Sequence, residues 1–229
     1  MMENLYQLRW FVINEKNKDK DKDKDKDKDK DKESILIFPD ISSGTVPKTL
    51  GVYGEIDEER GKAAVTSLHV VRKSIQSEKA EAAKEKEKFE TPDPIDFIVS
   101  TEGGDVQEMF SIYDCMRDLQ KECEVHTLGV GKVMSAGILL LAAGTKGKRR
   151  VGKHCRLMMH SIQGGHFGSI KELETDIREV RWYQDQFMKS IVQETKLDRR
   201  EIKNIFRRKT DTYFDAEQAI EWGIADEVV

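Results

Sequence analysis

The sequence predicts an α/β fold in which most strands pair in parallel. From residue 95 onward, short apolar segments with strand character (95–99, 125–130 and 156–161) are separated by stretches with helical character. Tight hairpin signals are absent between them, so crossover connections must join successive strands. Crossovers of this kind make neighbouring strands parallel and cover the sheet with helices.

The composition indicates one folded domain with charged appendages, and no nucleic-acid partner is expected from it. The chain has 229 residues, of which 38% are hydrophobic and 36% are charged. A formal net charge of −4 gives no reason to expect a concentrated basic face. The basic run 146–150 lacks interleaved aromatic residues, which favours a solvated turn over a nucleic-acid site.

The cysteines and histidines predict neither a disulfide framework nor a bound metal or cofactor. Three cysteines without Cys-x-x-Cys spacing are typical of a reducing compartment. His69, His126, His154 and His166 have no spaced set of further ligands, so no cofactor is expected. The sequence has no apolar run of ~18 residues and no signal-peptide pattern at its start, so a cytoplasmic protein without a membrane partner is expected.

The N-terminal segment, residues 1–48, differs from the rest of the chain in composition. Strands are predicted at 8–13 and 35–38, and residues 19–32 repeat Asp-Lys seven times with no apolar residue to bury. Such a polyampholyte is predicted to be disordered or a frayed helix. It is either a tether or solubility arm, or a tolerated repeat expansion in a loop.

Residues 49–229 are predicted to form the folded domain. A strand at 49–54 leads into one long helix over 57–90. The second half of that helix, 73–90, is rich in Glu and Lys, so it is expected to project into solvent or to form a loop. A stretch with two prolines then ends the helix before the strand at 95–99.

A lone serine, Ser135, lies where a strand gives way to an apolar helix. The strand 125–130 is expected to break at the glycines around it. The first amides of a helix have no intrahelical partner, so a serine hydroxyl attacking a carbonyl there finds N–H groups for the oxyanion. The alternative is that Ser135 is only an N-cap or a small packing residue.

Two glycine pairs accompany Ser135. Gly103 and Gly104 follow the strand 95–99 and precede a helix predicted over 106–121, while the strand 156–161 delivers His160 with a second pair just beyond. The order of these features is a strand with Gly-Gly, then Gly-x-x-x-Ser-x-Gly, then Met-x-His with Gly-Gly. In this order they resemble the ClpP family of serine peptidases, the proteolytic subunits of Clp proteases.

The resemblance covers about residues 49–228, apart from the charged stretch 73–90, and it implies a fold and a site. The implied fold is the ClpP/crotonase-like spiral of repeated β-β-α units with a protruding handle helix. The family's nucleophile, base and aspartate correspond to Ser135, His160 and Asp211. The implied oxyanion hole consists of the amides of Gly104 and Ala136.

Asp215 competes with Asp211 for the third position of the triad. Residues 215–218 have the pattern of a capping box that opens a helix closed by Gly223, so Asp215 is predicted to be an N-cap. Similar capping patterns begin at Ser169 and Asp198 and predict two further helices, the second ending near residue 206.

The helix predicted from Ser169 is long and amphipathic, with apolar residues at alternating spacings of three and four. The resemblance implies that the region 164–195 is a handle that interdigitates two stacked rings of a homo-oligomer. The alternative is that this helix packs only on its own domain.

Several residues depart from the family's pattern. Glu102 and Asp105 flank the first glycine pair, where the family usually has proline and an apolar residue. The family also has an apolar pocket that receives a loop of an ATPase, and the corresponding positions here are Asp96, Ile98, Arg150 and Gly152. Burying charges against an apolar loop is costly, so docking of a standard Clp ATPase is expected to be weak or absent.

The function expected is a serine endopeptidase that cleaves peptides or unfolded protein by acyl-enzyme chemistry inside an oligomeric ring. One alternative is a dedicated processing protease for a partner such as a viral capsid or scaffold protein. A second is a catalytically idle structural ring subunit, against which the intact triad residues argue. A third is a crotonase-type acyl-CoA enzyme, which would share the oxyanion hole without needing a Ser/His/Asp set.

Overall fold

The structure is a computed structural model that describes residues 48–164, 167–208 and 210–229. The strands expected at 8–13 and 35–38, and the Asp-Lys repeat at 19–32, lie outside the described residues.

One mixed sheet organises the described residues. Its strands are β1 (Thr49–Ile56), β2 (Ile95–Gly104), β3 (Val125–Met134), β4 (Arg150–Val151), β5 (Arg156–Met159), β6 (Thr212–Phe214) and β7 (Glu227–Val228). Strands β1, β2, β3, β4 and β7 lie side by side in that order, and β5 pairs with both β3 and β6. Within the described part of the chain, β5 with β6 is antiparallel and the other five pairs are parallel. The predicted α/β fold with mostly parallel pairing is therefore confirmed.

Helices cover the sheet and enclose the apolar core. They are α1 (Glu58–Glu85), α2 (Val106–Leu119), α3 (Ala136–Ala142), α4 (Ile170–Glu194), α5 (Arg199–Phe206) and α6 (Ala216–Glu221). Side chains of β2 alternate between buried and partly exposed positions, so one face of the strand lies against the helices. All residues of α3 are buried, which is the environment that a helix apolar on every side requires.

The long first helix ends earlier than predicted. It stops at Glu85 rather than near residue 90, because Lys86 adopts the left-handed conformation, with φ of 59°, and its N–H bonds the carbonyl of Ala82. The buried residues of this helix end at Ile75, so its Glu- and Lys-rich second half lies in solvent as expected. The helix α2 also ends early, at Leu119 instead of residue 121.

The two strands that carry glycines run further than predicted. Strand β2 continues through the pair at Gly103 and Gly104, and β3 continues to Met134 instead of breaking near residue 130. The pairing register between them shifts at Val99 and Thr101, which absorbs the irregular backbone. Gly131, with φ of 66°, then lets β3 change partner and pair with β5.

The predicted N-caps are confirmed. Ser169 and Asp198 each begin a helix with a complete capping box. Asp215 caps α6 by accepting a hydrogen bond from the N–H of Gln218, and Gly223 follows the helix with φ of 69°. Asp215 thus acts as the predicted N-cap of α6.

The helix α4 packs on the rest of the domain through its C-terminal half. Its buried residues begin at Phe187, whereas Ile170, Ile177 and Trp182 are exposed. Within the described residues, no helix combines the length and the apolar character needed to cross a bilayer.

Candidate functional site

Ser135 lies in a sharp turn between β3 and α3. Its backbone has φ of 52° and ψ of −115°, a conformation that a residue with a side chain rarely adopts and that stores about 1–3 kcal/mol of strain. The serine occupies the N-cap position, but its hydroxyl makes no capping hydrogen bond. The backbone N–H of Ser135 donates to the carbonyl of Met158 at 2.8 Å, so the backbone holds the turn without using the hydroxyl. The turn therefore presents the hydroxyl away from the helix that it opens.

The glycine turn at the end of β2 leaves room for this conformation. A Cβ atom on Gly103 would lie 2.6 Å from the Ser135 Cβ, and the φ of Gly103 is +98°. The buried hydroxyl of Thr101 accepts a hydrogen bond from the Gly103 N–H at 2.9 Å and so fixes the turn. Both the space and the backbone conformation require glycine at position 103.

His160 is delivered to Ser135 by strand pairing. It follows β5 directly, and the register between β3 and β5 places Met134 opposite Met158. The His160 Nε2 lies 2.7 Å from the Ser135 Oγ, which is hydrogen-bonding distance. The structure therefore brings together two residues that are 25 positions apart in the sequence.

Asp211 reaches the same histidine from β6. In the antiparallel pair of β5 and β6, Met159 lies opposite Thr212, so His160 and Asp211 continue the register by one residue. The Asp211 Oδ1 is 3.7 Å from the His160 Nδ1, a distance suited to an ion pair and too long for a direct hydrogen bond. The aspartate side chain is 40% exposed.

Gln163 is a site residue that the sequence analysis missed. Its Nε2 lies 3.0 Å from the His160 Nδ1, closer than the Asp211 carboxylate. The one signal in the sequence is a polar side chain three residues after the histidine, in a segment that strand and helix patterns leave unassigned.

The positions predicted for an oxyanion hole border the same cavity as Ser135 and His160. Gly104, with φ of +147°, has no space for a side chain, because a Cβ would lie 2.2 Å from the Ile56 carbonyl oxygen. Ala136 is the first residue of α3, so its N–H has no partner within the helix. Both backbone positions line the cavity beside the serine.

The cavity has a volume of about 360 Å³, an apolar wall and an acidic rim. The apolar wall is formed by Val106, Met109, Met158, Ile162 and Phe187. Glu102 and Asp105 stand at the rim, and the Glu102 carboxylate pairs with Lys132 at 2.6 Å. Within the described residues, no cluster of three or more His, Cys, Asp or Glu side chains is arranged to hold a metal ion.

Comparison with known proteins gives a consistent result. A family model described as Clp protease matches residues 70–229. One relative is proteolytic subunit 1 of the ATP-dependent Clp protease of Prochlorococcus marinus strain MIT 9312. It is 33% identical over 141 residues, which cover 61% of this chain and 70% of that protein. Proteolytic subunit 2 of the enzyme from Thermobifida fusca is 33% identical over 135 residues, covering 59% of this chain and 64% of that protein.

Proposed function

Because the chain belongs to the Clp protease family and is a serine-type peptidase, we propose that it is an endopeptidase with Ser135, His160 and Asp211 as its catalytic triad. The observation that carries this proposal is the 2.7 Å contact between the Ser135 Oγ and the His160 Nε2, at a strained turn that frees the hydroxyl. A hydrogen-bonded serine and imidazole are the arrangement that nucleophilic catalysis of acyl transfer requires.

In this mechanism His160 accepts the Ser135 proton as the hydroxyl attacks the scissile carbonyl, and it later protonates the leaving amine. Asp211 stabilises the imidazolium that forms between those steps. The amides of Gly104 and Ala136 donate to the oxyanion of the tetrahedral intermediate. The acyl-enzyme on Ser135 is then hydrolysed by water, with His160 as the base.

The cavity indicates the class of substrate. Its apolar wall suits an aliphatic or methionine side chain next to the scissile bond, and its volume of about 360 Å³ accommodates one such group. The acidic rim at Glu102 and Asp105 favours a substrate without acidic side chains at the neighbouring positions. Peptides and unfolded chains can present such a segment in extended form.

We further propose that residues 49–229 form the peptidase domain in the ClpP-like spiral, and that the chain assembles into stacked homo-oligomeric rings. The exposed apolar side chains of α4, including Ile170, Ile177 and Trp182, support a handle that packs against a second copy. Packing on its own domain accounts for the part of α4 from Tyr183 onward, where Tyr183 stacks on Phe110, but leaves these three side chains uncovered.

Docking of a standard Clp ATPase is proposed to be weak, although the relatives are named as subunits of ATP-dependent proteases. Asp96 and Arg150 form an ion pair at 2.6 Å across the strands where the family has an apolar pocket. This pair favours the second candidate function, processing of a dedicated partner protein without a standard ATPase. A pull-down with a standard Clp ATPase tests the proposal, and clear ATP-dependent capture would refute it.

Labelling with a fluorophosphonate probe tests the catalytic assignment. We expect the probe to label the wild-type protein and to leave Ser135→Ala unlabelled, while light scattering shows the same particle size for both. Ser111→Ala is the matched control, because the Ser111 hydroxyl only bonds the Gln107 carbonyl on the exposed side of α2. Full peptidase activity in Ser135→Ala would refute the assignment, and a ring that is never labelled would favour a resting state or an idle structural subunit.

A further inference from the structure

The Nδ1 atom of His160 has two neighbours of different chemistry. The Gln163 carboxamide is within hydrogen-bonding distance at 3.0 Å, and the Asp211 carboxylate is at 3.7 Å. An imidazole nitrogen offers one in-plane position, either a lone pair or an N–H. Gln163 and Asp211 are therefore alternative hydrogen-bond partners of Nδ1.

The two partners have different consequences for Ser135. A carboxylate accepts only, so Asp211 bound to Nδ1 requires the proton there and leaves Nε2 free to accept the Ser135 proton. The Gln163 amide faces Nδ1 with its NH₂ group, which donates to a bare Nδ1. The ring proton then lies on Nε2, pointing at the Ser135 oxygen, and the histidine cannot act as a base.

We propose that Gln163 is a positioning residue that holds His160 in a resting arrangement by occupying the place that Asp211 needs. The inference rests on the proposed function of Ser135 and His160. In the resting arrangement the serine hydroxyl is hydrogen-bonded and not activated. Activation consists of the departure of the Gln163 amide and the approach of Asp211 to Nδ1, with no covalent step.

The surroundings of Gln163 allow this exchange and connect it to α4. The Gln163 side chain is solvent-exposed, so water replaces its hydrogen bond to Nδ1 when it leaves. The neighbouring Ile162 N–H donates to the Gln184 Oε1 at 2.8 Å, which ties the segment after β5 to the middle of α4. A movement of α4, such as packing against a second copy of the chain, would therefore shift Gln163 relative to His160.

The test is the turnover of Gln163→Leu on a fluorogenic peptide. The leucine side chain is one bond shorter and cannot hydrogen bond, so Asp211 gains access to Nδ1. We expect kcat to rise about tenfold, because losing the one hydrogen bond that Gln163 makes to Nδ1 shifts the balance between the two arrangements by up to about that factor. The KM should change less than kcat, since Gln163 lines the cavity outside its apolar wall, which is left in place. Gln76→Leu is the matched control. Gln76 lies on α1, and its amide donates to the Glu122 carboxylate instead of to a residue of the site.

A double-mutant cycle with Asp211→Asn separates this role from a merely structural one. The gain from Gln163→Leu should vanish in the Asp211→Asn background, since no carboxylate remains to replace the amide. A gain that persists there overturns the proposal, and so does a Gln163→Leu variant with unchanged or lower kcat. Gln163→Ala should give the same gain as Gln163→Leu. Agreement between the two variants shows that the gain does not come from packing of the leucine side chain.

A crystal structure of Gln163→Leu provides a readout that does not need turnover. The distance from the His160 Nδ1 to the Asp211 Oδ1 should shorten from 3.7 Å to hydrogen-bonding length, about 2.8 Å. An unchanged distance overturns the proposal even if the variant is active. Failure of the proposed function is distinguished separately, because it would appear as activity that survives Ser135→Ala.

Discussion

Replacing Glu194 by alanine should destabilise the fold more than any single surface substitution on α4. The Glu194 side chain is 1% exposed at the end of that helix. It accepts a hydrogen bond from the Tyr113 hydroxyl at 2.8 Å and pairs with Lys146 at 3.2 Å. It therefore joins α4, α2 and the turn before β4, which are far apart in the sequence.

The loss in free energy of unfolding follows from the interactions that each partner of Glu194 loses. Burial, followed by the Glu194 carboxylate, raises the pKa of Tyr113, so the phenol stays protonated and needs an acceptor. Taking this acceptor away from the buried hydroxyl, which also hydrogen-bonds Ser190, costs about 1–3 kcal/mol. The cations beside Glu194 add little to this cost. The side chains of Lys146 and Arg117 are 54% and 39% exposed, and Lys146 keeps its hydrogen bond to the Glu194 carbonyl oxygen. We therefore expect Glu194→Ala to cost about 3 kcal/mol, the lower end of the range for breaking a buried pair.

Glu194→Gln should cost less, about 1–2 kcal/mol, because its amide oxygen still accepts from Tyr113 while the charge is lost. Urea unfolding followed by tryptophan fluorescence at one protomer concentration measures both free energies of unfolding. Glu179→Ala, an exposed change on the same helix, is the control and should lie within about 0.5 kcal/mol of wild type. Equal losses for the alanine and glutamine variants would refute the role given to the Tyr113 hydrogen bond.

Three further predictions concern the site and the pH dependence of stability. Asp211→Asn should lower kcat for peptide cleavage by about 10²–10⁴-fold with normal folding by circular dichroism; wild-type turnover would remove Asp211 from the triad. Gly103→Ala should abolish probe labelling, because the new Cβ would lie 2.6 Å from the Ser135 Cβ at a φ of +98°; normal labelling would contradict the geometry of the turn. Burial alone would raise the pKa of Asp226, but hydrogen bonds from Arg149 outweigh it and lower that pKa. The contribution of Asp226 to the free energy of unfolding is therefore complete above the ordinary pKa of a carboxyl group and is lost as pH falls through the lowered value. The free energy of unfolding of Asp226→Asn should consequently fall less steeply in acid than that of wild type.

The features that the sequence predicted well depend on local chemistry. The caps at Ser169, Asp198 and Asp215 each involve a side chain and an amide three residues away, so the pattern contains both partners. The apolar helix α3 also follows from residue type alone. These elements are where prediction and structure agree.

The features that the sequence did not predict depend on distant partners. Strand β3 continues past Gly131 because β5, more than twenty residues later, pairs with it there. The capping of α1 by Lys86 uses a left-handed residue that propensity would not select. Gln163 belongs to the site only because its segment returns beside His160, and no motif assigns a role to a glutamine at that position.

The short strand β5 determines how the site is assembled. On one side it pairs in parallel with β3, which ends at Ser135, and on the other it pairs antiparallel with β6, which begins after Asp211. His160 follows β5 and thereby lies between the two. A shift of one residue in either pairing would turn the relevant side chain to the opposite face of the sheet. The chemistry of Ser135 therefore depends on the register of a strand of four residues, and the buried residues Leu157 and Met159 hold that register by packing in the core.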